Sequence, residues 1–237
     1  MSETKHSNAR RDFLRKGLGI IPVVAVAGGG LVSNIAQAES PTPLNKYRPT
    51  FFSEAEWAFV MAACDLLIPE DRYGAGAITA CVPEFIDKQM DTPYGRGELW
   101  YMKGPFHPDA APEFGYQLKL APRDVYRLGI AGCDKWCQQQ YKKTFAELDK
   151  EAQTSVLKQL ESGKIELADV PSKTFFSFLL ANTKEGYFAD PQYGGNRHLA
   201  GWKMIGFPGA RADFMDWVEH SDRPYPLGPV SISGERG

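Results

Sequence analysis

The chain has 237 residues, of which 43% are hydrophobic and 24% are charged, and its formal net charge is −2 at pH 7. This composition is typical of a folded protein and excludes a disordered, collagen-like or strongly basic chain. Because the balance of charge is mildly acidic, we expect no nucleic-acid partner and no direct attraction to an anionic membrane surface.

The first 38 residues have the three parts of an export signal: a basic stretch, an apolar run and a small-residue end. The apolar run over residues 18–32 is short for a membrane span and contains glycines, which weaken a helix. An arginine pair followed by Phe and Leu resembles the twin-arginine (Tat) signal, with an ordinary secretory signal or an uncleaved anchor as the alternatives. We therefore expect cleavage after residue 38, export by the Tat route and a mature protein in the periplasm. The residues of this pattern are Arg10, Arg11, Phe13 and Leu14 in the export motif and Ala36 and Ala38 at the cleavage site.

The mature chain begins with a proline-rich arm and a clearly marked helix. Residues 39–50 are polar and rich in proline, which predicts an extended arm or linker. Ser53 and Glu56 have the spacing of a capping box, and apolar residues then recur at helical intervals. Pro69 predicts the end of this first helix.

The rest of the chain alternates helical patterns with long irregular segments. Residues 91–121 have no sustained period, and so long a segment inside a domain is usually a functional or partner-covered loop. Residues 221–237 predict a poorly packed extension, and no pair of strands with turn chemistry is present. The predicted fold is therefore mainly α, an irregular helical domain with long loops over residues 51–237. The further helices are predicted over residues 83–90, 122–141 and 149–160, and from residue 171 onward.

The chain lacks the usual means of holding a redox cofactor. Gly74 and Gly76 supply two glycines of a dinucleotide-binding motif, but Thr79 stands where the third belongs and no strand precedes them. No C-x-x-C-H sequence is present, which excludes covalent c-type haem. The histidines have no metal-ligand or nucleophile spacing, and only His198 is kept as a group that could complete an active site shared with another subunit. We therefore assign no catalytic, cofactor-binding or metal-binding residue.

The four cysteines leave two interpretations open. In an oxidising compartment, one or two disulfides or inert buried thiols are the ordinary outcome, and a Cys64–Cys81 bridge would pin the first loop against its helix. Cys133 and Cys137 lie one helical turn apart, where a bridge between them would be strained. The alternative is a stand-alone periplasmic metalloprotein in which all four thiolates hold zinc or an iron–sulfur cluster.

Two motifs resemble the gluconate 2-dehydrogenase subunit 3 family, whose members are small subunits of membrane-associated, flavin-dependent sugar and sugar-acid dehydrogenases. The early motif (residues 65–87) contains DLLIPE, GAGA and VPEFID. The late motif (residues 190–209) contains DPQYGGN and GWKMIGFPG. Residues 145–148 (FAEL) and the helix after them fit the pattern as well, so the likeness extends over most of the chain.

The resemblance implies a division of labour between subunits. A large flavoprotein subunit would hold FAD and oxidise the substrate, and a multihaem cytochrome c subunit would relay electrons through its c-type haems towards the quinone pool. The small subunit would carry the export signal, bind and stabilise the flavoprotein and export it, and the complex would be attached to the membrane. The present chain would be non-catalytic by itself.

The late motif is the predicted contact with a partner. Its aromatic residues supply the large side chains that anchor interfaces, and its glycines permit close approach of the backbone. The alternative is that these aromatic residues cap the core of the same chain. The predicted interface residues are Tyr193, Gly194, Gly195, Asn196, Arg197, Trp202 and Phe207.

Overall fold

Helices and their connections make up the described part of the chain, which comprises residues 43–220 and 222–237 of a computed structural model. Pairing between extended segments is confined there to isolated bridges. The mainly α fold predicted from the sequence is confirmed, whereas the predicted export signal lies outside the described residues. None of the helices described is long and apolar enough to cross a membrane. The α-helices are α1 (Glu54–Leu67), α2 (Val82–Met90), α3 (Pro122–Tyr141), α4 (Lys150–Ser162), α5 (Ser172–Phe188) and α6 (Ala200–Ile205).

Local capping chemistry sets the ends of these helices. The capping box of α1 is present, because the Ser53 backbone N–H donates to Glu56 Oε2 at 2.8 Å and the Glu56 backbone N–H donates to Ser53 Oγ at 3.4 Å. Asp149 caps α4 by accepting the backbone N–H of Ala152 at 2.8 Å. Gly163 ends α4 in the left-handed conformation, with φ 76°. These bonds satisfy backbone groups that have no partner inside the helix.

Helix α5 is the centre of the domain and packs against α1, α2, α3, α4 and α6. The Phe175 ring of α5 lies 5.8 Å from Phe59 and 6.2 Å from Tyr126, measured between ring centroids. Gly129 of α3 faces this ring so closely that a Cβ there would stand 2.2 Å from it. Truncating a buried phenylalanine of this kind costs about 3–5 kcal/mol.

A buried polar group also specifies how α5 faces its neighbours. Asn182 is fully buried, and its Oδ1 accepts a hydrogen bond of 3.0 Å from the Tyr126 hydroxyl. Its Nδ2 donates to Tyr94 Oη at 2.9 Å and to Glu185 Oε2 at 2.7 Å. Because a buried polar group without partners is costly, these bonds favour one rotation of α5 over others.

The described residues 43–50 of the proline-rich arm lie against the domain. Residues 44–46 form one 3-10 turn, and the chain then passes α2. The fully buried carboxylate of Asp87 accepts bonds from the Tyr47 hydroxyl at 2.8 Å and the Thr50 backbone N–H at 2.7 Å. It also accepts the backbone N–H groups of Phe51 and Phe52. One side chain thus attaches residues 47–52.

The last residues of the chain are better anchored than the sequence predicts. Ser231 is buried, and the backbone N–H of Ile232 donates to Asp190 Oδ2 at 2.7 Å. Pro229 is buried and accepts the backbone N–H of Gly237 at 2.9 Å. The prediction of a poorly packed extension is wrong for this stretch, because the late motif supplies a hydrogen-bond acceptor for it.

Candidate partner-binding surface

The early and late motifs meet in space although they lie far apart in the sequence. The backbone N–H of Arg197 donates to the carbonyl oxygen of Ala80 at 3.1 Å. The hydroxyl of Tyr187, at the end of α5, donates to the carbonyl oxygen of Ala75 at 2.5 Å. The loop of the early motif is closed by a bond of 2.8 Å from the Ala77 N–H to the Ile68 carbonyl. The two motifs therefore form one structural unit at the end of α5.

A charged group inside this unit joins the late motif to α2. Glu84 Oε2 lies 2.7 Å from an Arg197 guanidinium nitrogen, and Glu84 Oε1 lies 2.7 Å from Lys88 Nζ. The Glu84 and Arg197 side chains are only 6% and 11% exposed. Removing one partner of such a pair leaves the other charge in a poorly hydrated site, so neither side chain can be truncated without a cost in stability.

Asn196 stabilises an uncommon backbone conformation in the late motif. It is fully buried, its Nδ2 donates to the Ala189 carbonyl at 2.8 Å, and its Oδ1 accepts the Gly201 N–H at 2.8 Å. Asn196, His198 and Leu199 all have left-handed backbones, with φ of 48°, 58° and 57°. This conformation is costly for residues with a Cβ and persists only where surrounding contacts impose it. Asn196 supplies two of those contacts.

Two glycines of the late motif allow the backbone to lie directly against α5. A Cβ on Gly195 would stand 2.1 Å from the carbonyl oxygen of Gly186. A Cβ on Gly201 would stand 2.2 Å from the carbonyl oxygen of Tyr187. Neither glycine can carry a side chain without separating the two segments, so their role is packing within this chain.

Trp202 and Phe207 form the edge of the unit. The Trp202 indole is 6% exposed, and its Nε1 donates to the Phe188 carbonyl at 2.7 Å. The Phe207 ring stands edge-on to the indole with a centroid distance of 5.1 Å. Since the indole is fixed by burial and by a hydrogen bond, it gives Phe207 a rigid support.

The predicted interface therefore divides into inward and outward residues. Tyr193 and Phe207 are 50% and 44% exposed and can meet a partner. The other predicted interface residues pack inside the chain, which was the alternative left open by the sequence. These inward residues are Gly194, Gly195, Asn196, Arg197 and Trp202.

Sequence reasoning missed two further exposed apolar residues of the late motif, Met204 and Ile205. Both lie on α6, a helix of six residues that was not predicted. Gly201 and Trp202 are the buried residues of this helix, whereas Met204 and Ile205 are 45% and 57% exposed. Spacing within so short a helix does not predict which of its residues are exposed. The four exposed apolar side chains of the late motif, here called the motif surface, are Tyr193, Met204, Ile205 and Phe207.

A shallow cavity of about 430 Å³ adjoins the motif surface beside Met204. It lies between α6 and the loop after α1, and Leu67, Pro69, Tyr73 and Tyr187 contribute to its wall. Because its lining is largely apolar, it extends the apolar character of the motif surface onto the early motif. A single partner side chain would fit into a recess of this kind.

Comparison with known families finds both motifs within the profile of one family. The sequence profile of gluconate 2-dehydrogenase subunit 3 matches residues 54–209, about two thirds of the chain, and this range contains both motifs. The chain belongs to this family. The family name denotes one subunit of a multisubunit gluconate dehydrogenase. Comparison with curated proteins finds no match. Comparison with solved structures finds none either.

The cysteines of this subunit 3 protein do not form a common site. Cys64 Sγ lies 3.6 Å from Thr183 Oγ1, whereas Cys81 Sγ lies 3.8 Å from the carbonyl oxygen of Thr79. The two thiols expected to form a bridge thus face different partners, and the Cys64–Cys81 disulfide stays a prediction. Four buried free thiols are present: Cys64, Cys81, Cys133 and Cys137.

The four-thiolate metal site also receives no support from this geometry. Across residues 43–220 and 222–237, no three His, Cys, Asp or Glu side chains are grouped so that they could hold a metal ion. Burial raises the pKa of the Cys64 thiol to about 12, so without a bound metal this group stays protonated near neutral pH.

His198 is the one histidine that the sequence analysis kept as a candidate. Its side chain is exposed, between the buried side chain of Leu199 and the ion-paired Arg197. A partner could therefore reach the imidazole. Its contribution to an active site shared with another subunit stays a hypothesis.

Proposed function

We propose that this chain is the non-catalytic small subunit of a periplasmic, membrane-associated, FAD-dependent dehydrogenase of a sugar or sugar acid, similar to gluconate 2-dehydrogenase. It binds and stabilises the large flavoprotein subunit, which holds FAD, and exports it by the Tat route. A multihaem cytochrome c subunit carries the c-type haems and relays electrons towards the quinone pool, and the chain is associated with the membrane through the complex. The motif surface is the observation that carries this proposal.

The motif surface has the properties of a binding site rather than of an ordinary protein exterior. Its large apolar side chains are exposed to solvent. The backbone that carries them is fixed by buried contacts of Asn196, of the Glu84–Arg197 pair and of the Trp202 indole. Interfaces concentrate their energy in a few such apolar anchors on rigid support. Rigid support lowers the entropy lost on binding, which raises affinity.

The division of labour follows from chemistry that this sequence does not offer. It contains neither a complete G-x-G-x-x-G motif nor C-x-x-C-H, so we place FAD and haem in the partner subunits. The family assignment supports an assembly with other subunits. Together these points favour binding, and not catalysis, as the role of the motif surface.

Substitution of the motif surface tests this proposal. We expect Ile205→Ser combined with Phe207→Ser to reduce co-purification with a tagged flavoprotein subunit at least about tenfold, because two apolar anchors are lost. The matched control is Tyr141→Ser with Ile232→Ser, two exposed apolar residues outside the motif surface and outside the 91–121 segment. Circular dichroism would verify that both double variants fold. Full retention of the flavoprotein by the Ile205/Phe207 variant would refute the proposed surface.

Export provides an independent test of the role in transport. We expect Arg10→Lys with Arg11→Lys to leave both this chain and the flavoprotein subunit in the cytoplasm, because the partner depends on the signal of the small subunit. Fractionation and immunoblotting of both subunits measure this. If the flavoprotein still reaches the periplasm, the co-export role is wrong.

A further inference from the structure

The segment after the late motif forms a closed loop with a fixed base. The backbone N–H of Ala210 donates to the Val230 carbonyl at 2.7 Å, and the Val230 N–H donates to the Pro208 carbonyl at 3.2 Å. The Arg211 side chain donates to the Gly228 carbonyl. The two ends of residues 210–229, here called the C-terminal loop, therefore lie beside each other.

The C-terminal loop is filled by its own aromatic side chains. The Tyr225 ring lies 5.5 Å from Phe214 and 5.6 Å from Trp217 between ring centroids. The Arg211 guanidinium stands 5.5 Å from the centre of the same ring, and Trp217 lies 4.9 Å from His220. The loop thus has an aromatic cluster of its own, and the residues outside this cluster are directed towards solvent.

Several residues of the loop that take no part in its internal packing are apolar and exposed to solvent. Met215 and Val218 are 75% and 65% exposed, and Leu227 is exposed as well. Exposed apolar side chains grouped on one segment and rimmed by polar residues mark interaction sites.

Carboxylates alternate with Met215 and Val218 along the sequence of the loop. Between residues 212 and 222 the sequence has four acidic residues and no lysine or arginine, and Arg211 and Arg223 flank this stretch. In the described part of the chain none of the four is in an ion pair, and together with the two arginines the loop keeps an excess of negative charge. The four are Asp213, Asp216, Glu219 and Asp222.

We infer that the C-terminal loop is a second docking element for the flavoprotein subunit, and that it binds an apolar patch ringed by lysine or arginine on that subunit. This inference rests on the proposed function. Because the loop is acidic, charge complementarity predicts a basic partner surface. Surfaces of opposite charge associate faster and in a defined orientation.

Continuity with the motif surface assigns the loop to the same partner. At its base, Gly209 lies so close to the Trp202 indole that a Cβ there would stand 2.8 Å from the ring. A stable interface buries about 800 Å² and about 20–30 residues on each side. The motif surface, with four side chains, is too small alone, and the adjoining loop extends it.

The loop also lies beyond the segment that the family profile matches, which ends at residue 209. The motif surface is therefore part of the matched family pattern, whereas the loop lies outside the matched range.

Charge reversal tests the inference in the assembled complex. The complex is co-expressed and purified with Asp216→Lys, Glu219→Lys and Asp222→Lys, and its dissociation on dilution is measured by mass photometry at 50 and 500 mM NaCl. We expect affinity at least tenfold weaker at 50 mM and a salt dependence of the opposite sign, with part of the affinity recovered at 500 mM, because the reversed charges repel the basic ring of the partner until salt screens them. The matched control is Glu161→Lys, Glu166→Lys and Asp169→Lys, three exposed carboxylates elsewhere.

A second variant tests the apolar half of the loop. We expect Met215→Ser with Val218→Ser to weaken the complex about tenfold at both salt concentrations, since an apolar contact is not screened by salt. If neither loop variant changes affinity while Ile205→Ser with Phe207→Ser does, the inference is wrong and the proposed function stands. If the wild-type chain forms no complex with the flavoprotein subunit, both are wrong.

Discussion

Asp87 shows how much of the structure can depend on one side chain. Its carboxylate accepts bonds from Tyr47, Thr50, Phe51 and Phe52, and all but one of these bonds are between 2.7 and 3.1 Å. A carboxylate can accept several donors at once, and a buried one needs them. Nothing in the local sequence around residue 87 indicates these partners, which come from residues 35–40 positions earlier.

Replacing this carboxylate should release the arm. We expect Asp87→Ala to lower the free energy of unfolding by about 3 kcal/mol, because several backbone and hydroxyl donors lose a buried acceptor. Limited chymotrypsin digestion should then cut near Tyr47 and Phe51. Asp91→Ala is the control, since Asp91 accepts only an exposed bond from Thr50 and should change stability by less than about 0.5 kcal/mol. Equal stability of both variants would contradict this assignment.

At the scale of elements, the late motif links helices α5 and α2 and is not an independent unit. Its backbone contacts α5 through Gly195 and Gly201, and its Arg197 reaches α2 through Glu84. Contact with two helices at once explains how a stretch with three left-handed residues is kept in one conformation. The exposed motif surface is therefore as rigid as the helices behind it.

A methyl group at the contact with α5 should disrupt this arrangement. We expect Gly195→Ala to lower the Tm by at least about 5 °C, because the added Cβ would meet the backbone oxygen of Gly186, which cannot move aside. Gly206→Asn is the control, since Gly206 has open space around it and a left-handed φ of 69° that Asn tolerates. Differential scanning calorimetry measures both. An unchanged Tm for Gly195→Ala would show that the close contact is not required.

At the scale of the whole molecule, the interior is rich in tyrosine hydroxyl groups. Burial raises the pKa of each of these groups above the ordinary value of about 10, and it raises the pKa of Tyr116 to about 12. For Tyr47 the adjacent Asp87 carboxylate adds to the effect of burial. A buried tyrosine thus holds its proton more tightly than the unfolded chain does. The tyrosines concerned are Tyr47, Tyr94, Tyr116, Tyr126 and Tyr187.

This difference predicts that the protein loses stability in alkali. The contribution of the protonated tyrosines is fully present below about pH 10 and is lost as the pH rises from about 10 towards 12, because unfolding releases protons there. We expect the urea midpoint to fall steadily between pH 10 and 12. In Tyr116→Phe the urea midpoint should fall less, because one tyrosine hydroxyl that titrates has been removed. A midpoint that does not change over this range would contradict the prediction.

The sequence predicted most of the helices because their ends are encoded locally. Ser53 with Glu56, Asp149 and Gly163 each act within a few positions of themselves, so the pattern of caps and breakers could be read directly. Helix α2 begins at Val82, one residue before the predicted Pro83. Helix α6 was missed because six residues are too few to show a period.

The sequence by itself determined that this is a mainly helical protein with a family pattern in two motifs, since helix periodicity and motif residues are properties of neighbouring positions. Only the tertiary structure decided which residues of the late motif are exposed. Asn196 and Trp202 turn inward, whereas Met204 and Ile205 turn outward. The physical reason is that burial depends on segments distant in sequence, here α2 and α5, and their positions are set by packing of the whole chain.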